Sequence, residues 1–67
     1  MIVNSIEHEG YTIKITWDKW QSFYNWEVWK DGELLADDSK QGGYEMEREA
    51  VAWAKNYIKY RDDEENE

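Results

Sequence analysis

Phe23-Tyr24-Asn25-Trp26-Glu27-Val28-Trp29-Lys30-Asp31-Gly32-Glu33-Leu34-Leu35-Ala36 is the stretch on which the fold of this chain turns. Two runs rich in aromatic, β-branched and aliphatic residues flank Asp31-Gly32. Asp-Gly in that setting is a strong hairpin signal, because both central residues of a type I′ turn need positive φ. A two-residue loop predicts Lys30 opposite Glu33, Trp29 opposite Leu34, Val28 opposite Leu35 and Trp26 opposite Asp37. Strand alternation then puts Trp26, Val28 and Leu35 on one face, and Trp29, Glu27, Leu34 and Ala36 on the other.

Upstream, Tyr11-Thr12-Ile13-Lys14-Ile15-Thr16-Trp17 alternates apolar and polar residues without a break, the pattern of a strand with one buried face. Ile2, Val3 and Ile6 predict a short strand before it, with His8-Glu9-Gly10 as the turn. Downstream, Asp37 to Gly43 is polar, ends in Gly42-Gly43 and is expected to be a flexible connection. From about Glu45 to Arg61 the period changes. Met46, Ala50, Trp53, Ala54, Tyr57, Ile58 and Arg61 recur at threes and fours and predict a helix with these residues toward the core. Glu45, Glu47 and Glu49 suit its start, and Lys55, Lys59 and Arg61 suit its end, as the macrodipole favours. Its start lacks an adjacent Ser, Thr, Asp or Asn, which leaves Gly43 as a candidate N-cap.

The expected fold class is therefore α+β: a small antiparallel sheet of three to four strands in hairpin order, with one C-terminal α-helix packed on one face. Residues 1–61 make a single domain. Residues 62–67, five acids in six positions, are expected to be a disordered acidic tail.

Sixty-seven residues are few for a stable core, and the chain has no cysteine to staple it. Its eleven aromatic residues, five of them Trp, answer that need, since each can bury about 150 to 250 Å². Trp17, Trp26 and Trp53 are expected in the core. Trp20 and Trp29 are left without a structural reason.

The formal net charge is −8, with sixteen acids against eight bases. Such a balance disfavours binding to duplex nucleic acid or anionic membranes. The opening residues lack the basic segment and apolar run of a secretory signal, and no long apolar run occurs further on, so a soluble cytoplasmic protein is expected.

No catalytic motif is visible. His8 is the sole histidine and falls in a predicted turn, and Ser5, Ser22 and Ser39 lack any nucleophile context. One histidine and no cysteine do not suit zinc, and Asp37-Asp38 does not have calcium-loop spacing. Gly42-Gly43 lacks the lysine of a phosphate loop. The expectation is a protein that is not an enzyme and uses no cofactor or metal.

A lone helix covers only one face of the sheet, so function is expected on the other. Trp29, Leu34 and Phe23 are the predicted anchors for another protein, with Trp20 beside them and Glu27 and Glu33 steering a basic partner. Homodimer formation would use the same face or an edge strand. A small inhibitor or adaptor of bacterial or phage origin is the leading reading.

An alternative makes the carboxylates essential. Glu45, Glu47, Glu49, Asp37 and Asp38 would imitate nucleic-acid phosphates in the groove of an enzyme that binds DNA or RNA. In size, acidity and sheet-plus-helix build the chain is similar to phage-encoded inhibitors of this kind, the uracil-DNA glycosylase inhibitors and anti-CRISPR proteins. Its strand pattern with a following helix also resembles HicB-type antitoxins, which implies a small basic toxin as partner. The third reading is single-strand binding by Lys14, Trp17, Lys19 and Trp20. Cold-shock domains resemble the chain in size and acidity, but their glycine-rich aromatic motifs are absent and the helix has no counterpart there.

Overall fold

The computed structural model describes residues 1–38 and 43–65. Four strands, β1 (Ile2–His8), β2 (Tyr11–Asp18), β3 (Phe23–Lys30) and β4 (Glu33–Asp37), precede one helix, α1 (Glu47–Glu65). The strands form one antiparallel sheet in the order β1-β2-β3-β4, and α1 packs on β3 and β2. This is the α+β architecture that the alternation and the turn residues predict.

Two of the hairpins close as their residues dictate. Glu9 and Gly10 have φ of 51° and 87°, and Asp31 and Gly32 have φ of 53° and 78°. Positive φ at both central residues twists the loop in the same sense as the strands it joins. His8 therefore faces Tyr11, and Lys30 faces Glu33. The β2–β3 connection is held by an aspartate. Asp18 Oδ1 accepts from the backbone N–H groups of Trp20 (2.9 Å) and Gln21 (3.2 Å), and the Asp18 carbonyl accepts from Ser22 N–H (2.8 Å).

The core lies between the sheet and α1. Tyr11, Ile13, Ile15, Trp26 and Val28 from the sheet and Ala50, Ala54 and Ile58 from the helix are buried. Two alanines one turn apart let the helix axis come close to the sheet. Trp26 then packs against Tyr57, with ring centroids 5.9 Å apart.

Trp53 is not in this core. It is 49% exposed and stacks on Tyr44, with centroids 6.4 Å apart. At about 100° per residue, Trp53 points roughly 90° away from the line through Ala50, Ala54 and Ile58, so it falls on the flank. Met46, also expected to face inward, is 43% exposed; it precedes the first residue of α1 and is not carried on the helix. Trp17 is half-buried and leans on Tyr24 at 4.7 Å.

Register differs from expectation beyond the first pairs of the second hairpin. Trp29 faces Leu34 as predicted, but Val28 faces Ala36 and Glu27 faces Asp37, so Leu35 is an extra residue in β4. A bulge of this kind shifts every later residue by one position. Ala36, predicted on the open face, packs against the core together with Leu35.

The helix starts and stops later than the periodicity predicts. Its first turn is tied to the Met46 carbonyl, which accepts from Glu49 N–H at 3.1 Å. Gly43 is accordingly not the N-cap. It has φ of 91° and sits so close to β3 that a Cβ would lie 2.8 Å from Phe23 Cβ. Its neighbour Tyr44 exchanges both backbone hydrogen bonds with Tyr24, at 2.7 and 2.8 Å, occupying the place beside β3 that β4 vacates. At the other end α1 runs on through residues 62–65, four of the six expected in a disordered tail, and Asp62 accepts a hydrogen bond from the Tyr11 hydroxyl at 3.0 Å. Lys55, Lys59 and Arg61 therefore lie before the last turn, which contains no base. Of the connection expected over 37–43, residues 39–42 lie outside the described residues, as do 66–67 of the acidic end.

Candidate protein-binding surface

On the face of the sheet away from α1, alternation and register align Ser5 and Glu7 of β1, Thr12, Lys14 and Thr16 of β2, Phe23, Asn25, Glu27 and Trp29 of β3, and Leu34 of β4. Among the described residues, no second layer of helix or strand lies on this face. Of the predicted anchors, Trp29 and Leu34 come together as a directly opposed cross-strand pair. Leu34 is 42% exposed and Trp29 half-buried.

Trp29 owes its shelter to polar neighbours. The Lys14 ammonium sits 4.2 Å from the ring centroid, and the indole Nε1 donates to Glu27 Oε1 at 3.1 Å. One ring thus joins a cation on its face to a carboxylate at its edge, which fixes the rotamer of an otherwise mobile side chain. Beside it Thr12 Oγ1 donates to Glu7 Oε1 at 2.8 Å.

Phe23 does not join this pair. It lies six residues along β3, about 20 Å away at strand rise, and is half-buried beside Gly43. Trp20 projects from the β2–β3 turn at the same end, 87% exposed. A cleft of about 690 Å³ opens there, lined by Met1, Thr16, Trp17, Asp18, Lys19, Trp20 and Asn25. The expected continuous aromatic face is therefore two clusters separated by Asn25, Glu27, Lys14 and Thr16. Glu33 faces Lys30 at the hairpin tip, and alternation puts it on the side opposite Leu34.

The acids of the alternative reading are spread more widely. Glu45, Glu49 and Asp37 are exposed, and Glu47 is half-buried. Asp38 is the exception, only 3% exposed. With its side-chain nitrogen turned toward Asp38, Asn25 donates to both carboxylate oxygens, at 3.3 and 3.1 Å. Burial pushes the Asp38 carboxyl above the ordinary aspartate range, hydrogen bonds from the Trp26 and Asp38 backbone pull it back, and the Asp37 and Glu27 charges add to the upward push. Among the described residues this carboxylate is enclosed by its own chain.

Sequence reasoning missed a third surface, the flank between β4 and α1. Trp53 and Tyr60, 49% and 61% exposed, stand there with Ala36, Asp37, Asn56 and Tyr57 around a cleft of about 300 Å³. The signal was present as a second stripe, since Glu49, Trp53, Asn56 and Tyr60 also recur at threes and fours. The stronger Ala50–Ala54–Ile58 stripe, which runs beside it, masks it.

Among the described residues no group of histidines and carboxylates is arranged to hold a metal ion, and no helix is long and apolar enough to cross a membrane. Compared with protein-family models, curated proteins and solved structures, the chain matches none.

Proposed function

We propose that this chain is a non-enzymatic binding module that acts in the cytoplasm on another protein with a basic surface, as an inhibitor or adaptor. The observation that supports this is the Trp29–Leu34 pair on a sheet face with no second layer among the described residues. An immobilised aromatic ring beside an exposed leucine is a low-entropy anchor, and Glu27 and Glu7 around it favour a cationic partner. The size of the patch suits a few central contacts rather than a broad apolar interface.

Capture of binding proteins on immobilised parent chain, run beside Leu34→Ala and Trp29→Ala, tests it. A partner retained by the parent and lost by both variants is the expected result. A partner that binds all three equally would exclude this face.

A second reading is favoured by the extent of α1. α1 extends over positions 62–65, all acidic in the sequence, and Glu45 and Glu49 near its start are exposed. An array of that kind is what nucleic-acid mimicry needs. Its signature would be a steep loss of binding with salt and with charge reversal at Glu45 and Glu49, with Leu34→Ala having no effect.

A further inference from the structure

We infer that β1 pairs antiparallel with β1 of a second copy of this chain, centred on Ile6, so that two four-stranded sheets become one of eight strands. The inference goes beyond the sheet-face reading, since an edge-to-edge dimer leaves both Trp29–Leu34 pairs on the open face and uses neither residue.

β1 is an edge of the sheet, and among the described residues no strand lies on its outer side. The two-residue Glu9-Gly10 turn makes His8 and Tyr11 a hydrogen-bonded pair, and alternation repeats this at Ile6–Ile13 and Asn4–Ile15. The backbone groups of Ser5 and Glu7 therefore point out of the sheet. A side chain bears this out: Asn4 Oδ1 accepts from the Ser5 N–H at 2.9 Å, doing for that donor what the carbonyl of a neighbouring strand would do.

The other edge is guarded. β4 begins at Glu33, is bulged at Leu35 and ends at Asp37, and the neighbouring Tyr24 backbone groups are taken by Tyr44. β1 carries no charge from Ile2 to Ile6, and Ile2, Val3, Asn4 and Ser5 are all exposed. Charge does not shield this strip from another strand.

The residues of the edge decide the register. Its usable stretch is Asn4 to His8, because the bulge between Ile2 and Asn4 breaks the ladder on one side and the turn ends it on the other. Setting Glu7 opposite Glu7 of the second copy would oppose two acids, and setting Ser5 opposite Ser5 would run Glu7 into the bulge. Centring on Ile6 avoids both. Ser5 then meets Glu7 of the other chain, twice by symmetry, in pairs whose backbones exchange hydrogen bonds, while Ile6 meets Ile6 in the closer pair between them and Asn4 meets His8. Ile6 is half-buried on the helix side, where α1 packs chiefly on β3 and β2, so the contact covers apolar surface that the helix leaves open. A basic partner strand fits less well, because Glu7 is the sole acid from Asn4 to His8.

Sedimentation equilibrium of the full chain over about 5 to 500 µM, at about 0.1 and about 0.5 M salt, is the test. A reversible dimer is expected that tightens several-fold at the higher salt, because each copy carries −8 and the contact itself is not ionic. Ser5→Glu puts an acid opposite Glu7 in both pairs and weakens the dimer about tenfold. Asn4→Ala removes the acceptor that competes for the Ser5 N–H and tightens it about fivefold. Leu34→Ala leaves it unchanged, and capture of a protein on the sheet face is measured separately, so the two readings can fail independently. Asn4 and Ser5 are exposed, and a dispersed spectrum of each variant verifies that it is folded. A monomer at the highest concentration in the higher salt would overturn the inference. So would a dimer indifferent to both Ser5→Glu and Asn4→Ala, or one lost in Leu34→Ala, since the contact would then lie elsewhere.

Discussion

Val28 faces Ala36 across β3 and β4, although the residues next to them in the hairpin, Trp29 and Leu34, are also directly opposed. The extra residue is Leu35, and because of it both Leu35 and Ala36 pack toward the helix while Asp37 pairs with Glu27. A bulge bends the strand and re-aims the side chains beyond it. Here it moves Asp37 from the place opposite Trp26, on the helix side, to the place opposite Glu27, on the open face.

Deleting Leu35 is therefore expected to cost about as much as truncating it. Leu35→Ala removes a half-buried side chain and is expected to cost about 1 to 2 kcal/mol. Deletion removes the extra residue, so Leu34 and Ala36 become neighbours opposite Trp29 and Val28, Asp37 stays opposite Glu27, and what is lost is again the Leu35 side chain. Urea unfolding of the two variants gives the comparison. A midpoint far lower for the deletion would mean that β4 needs the bulge itself and not only the Leu35 side chain.

Trp26 and Trp53 separate just as clearly. Trp26 is 5% exposed and packed between the sheet and Tyr57, so Trp26→Ala is expected to cost about 3 to 5 kcal/mol. Trp53→Ala loses little more than the Tyr44 stack, about 1 kcal/mol. The Trp26 indole Nε1 is buried without a hydrogen-bond partner among the described residues. Trp26→Phe removes that unmatched donor and is expected to cost well under half of what the alanine variant does. Chemical denaturation gives all three values.

Gly43→Ala tests the close approach of the returning chain to β3. The residue has φ of 91°, and the added carbon would meet Phe23 Cβ at 2.8 Å and Asn25 Oδ1 at 3.0 Å. A side chain in that conformation against a packed strand is expected to cost about 2 kcal/mol or more. Hydrogen exchange at the Tyr44 and Tyr24 amides, which hold the chain to β3, should accelerate in the variant.

Asp38 gives the pH prediction. Its folded-state pKa is raised, chiefly by burial, so the folded protein holds this proton more tightly than the unfolded chain. The stabilisation linked to the group is fully present below the unfolded value of about 4 and is lost as pH rises through the folded value. Asp38→Asn keeps an acceptor for the Trp26 N–H and carries no charge. It is expected to be at least as stable as the parent at neutral pH, and the difference between the two should shrink as pH falls toward about 4. Unfolding midpoints across that range check the sign, and a variant markedly weaker at neutral pH would contradict it.

The open face was legible as a place and not as a composition. Alternation puts Trp29 and Leu34 there, and the Asp-Gly turn makes them partners, because both rules act over a few residues. That Lys14 covers Trp29 depends on the β2–β3 register, which no local pattern states. Phe23 shares the face but lies a strand's length from Trp29, and Glu33 leaves it at the hairpin tip. The β4–α1 cleft was not legible, since it needs the rotation of α1 about its axis and the bulge at Leu35 together.

The elements that could be read from the residues are those whose causes are local. Alternation sets the strands, Glu9-Gly10 and Asp31-Gly32 set two turns through positive φ, and a period near 3.6 sets the helix. Packing between distant segments settled the rest. Ala50 and Ala54 have the least side chain to place between helix and sheet, so the helix rolls to put them innermost and turns Trp53 outward. The same docking lets the Tyr11 hydroxyl reach Asp62 and buries Asp38 behind Asn25. Each of these outcomes depends on residues distant in the chain meeting at one interface, and volume and hydrogen bonding are satisfied only there.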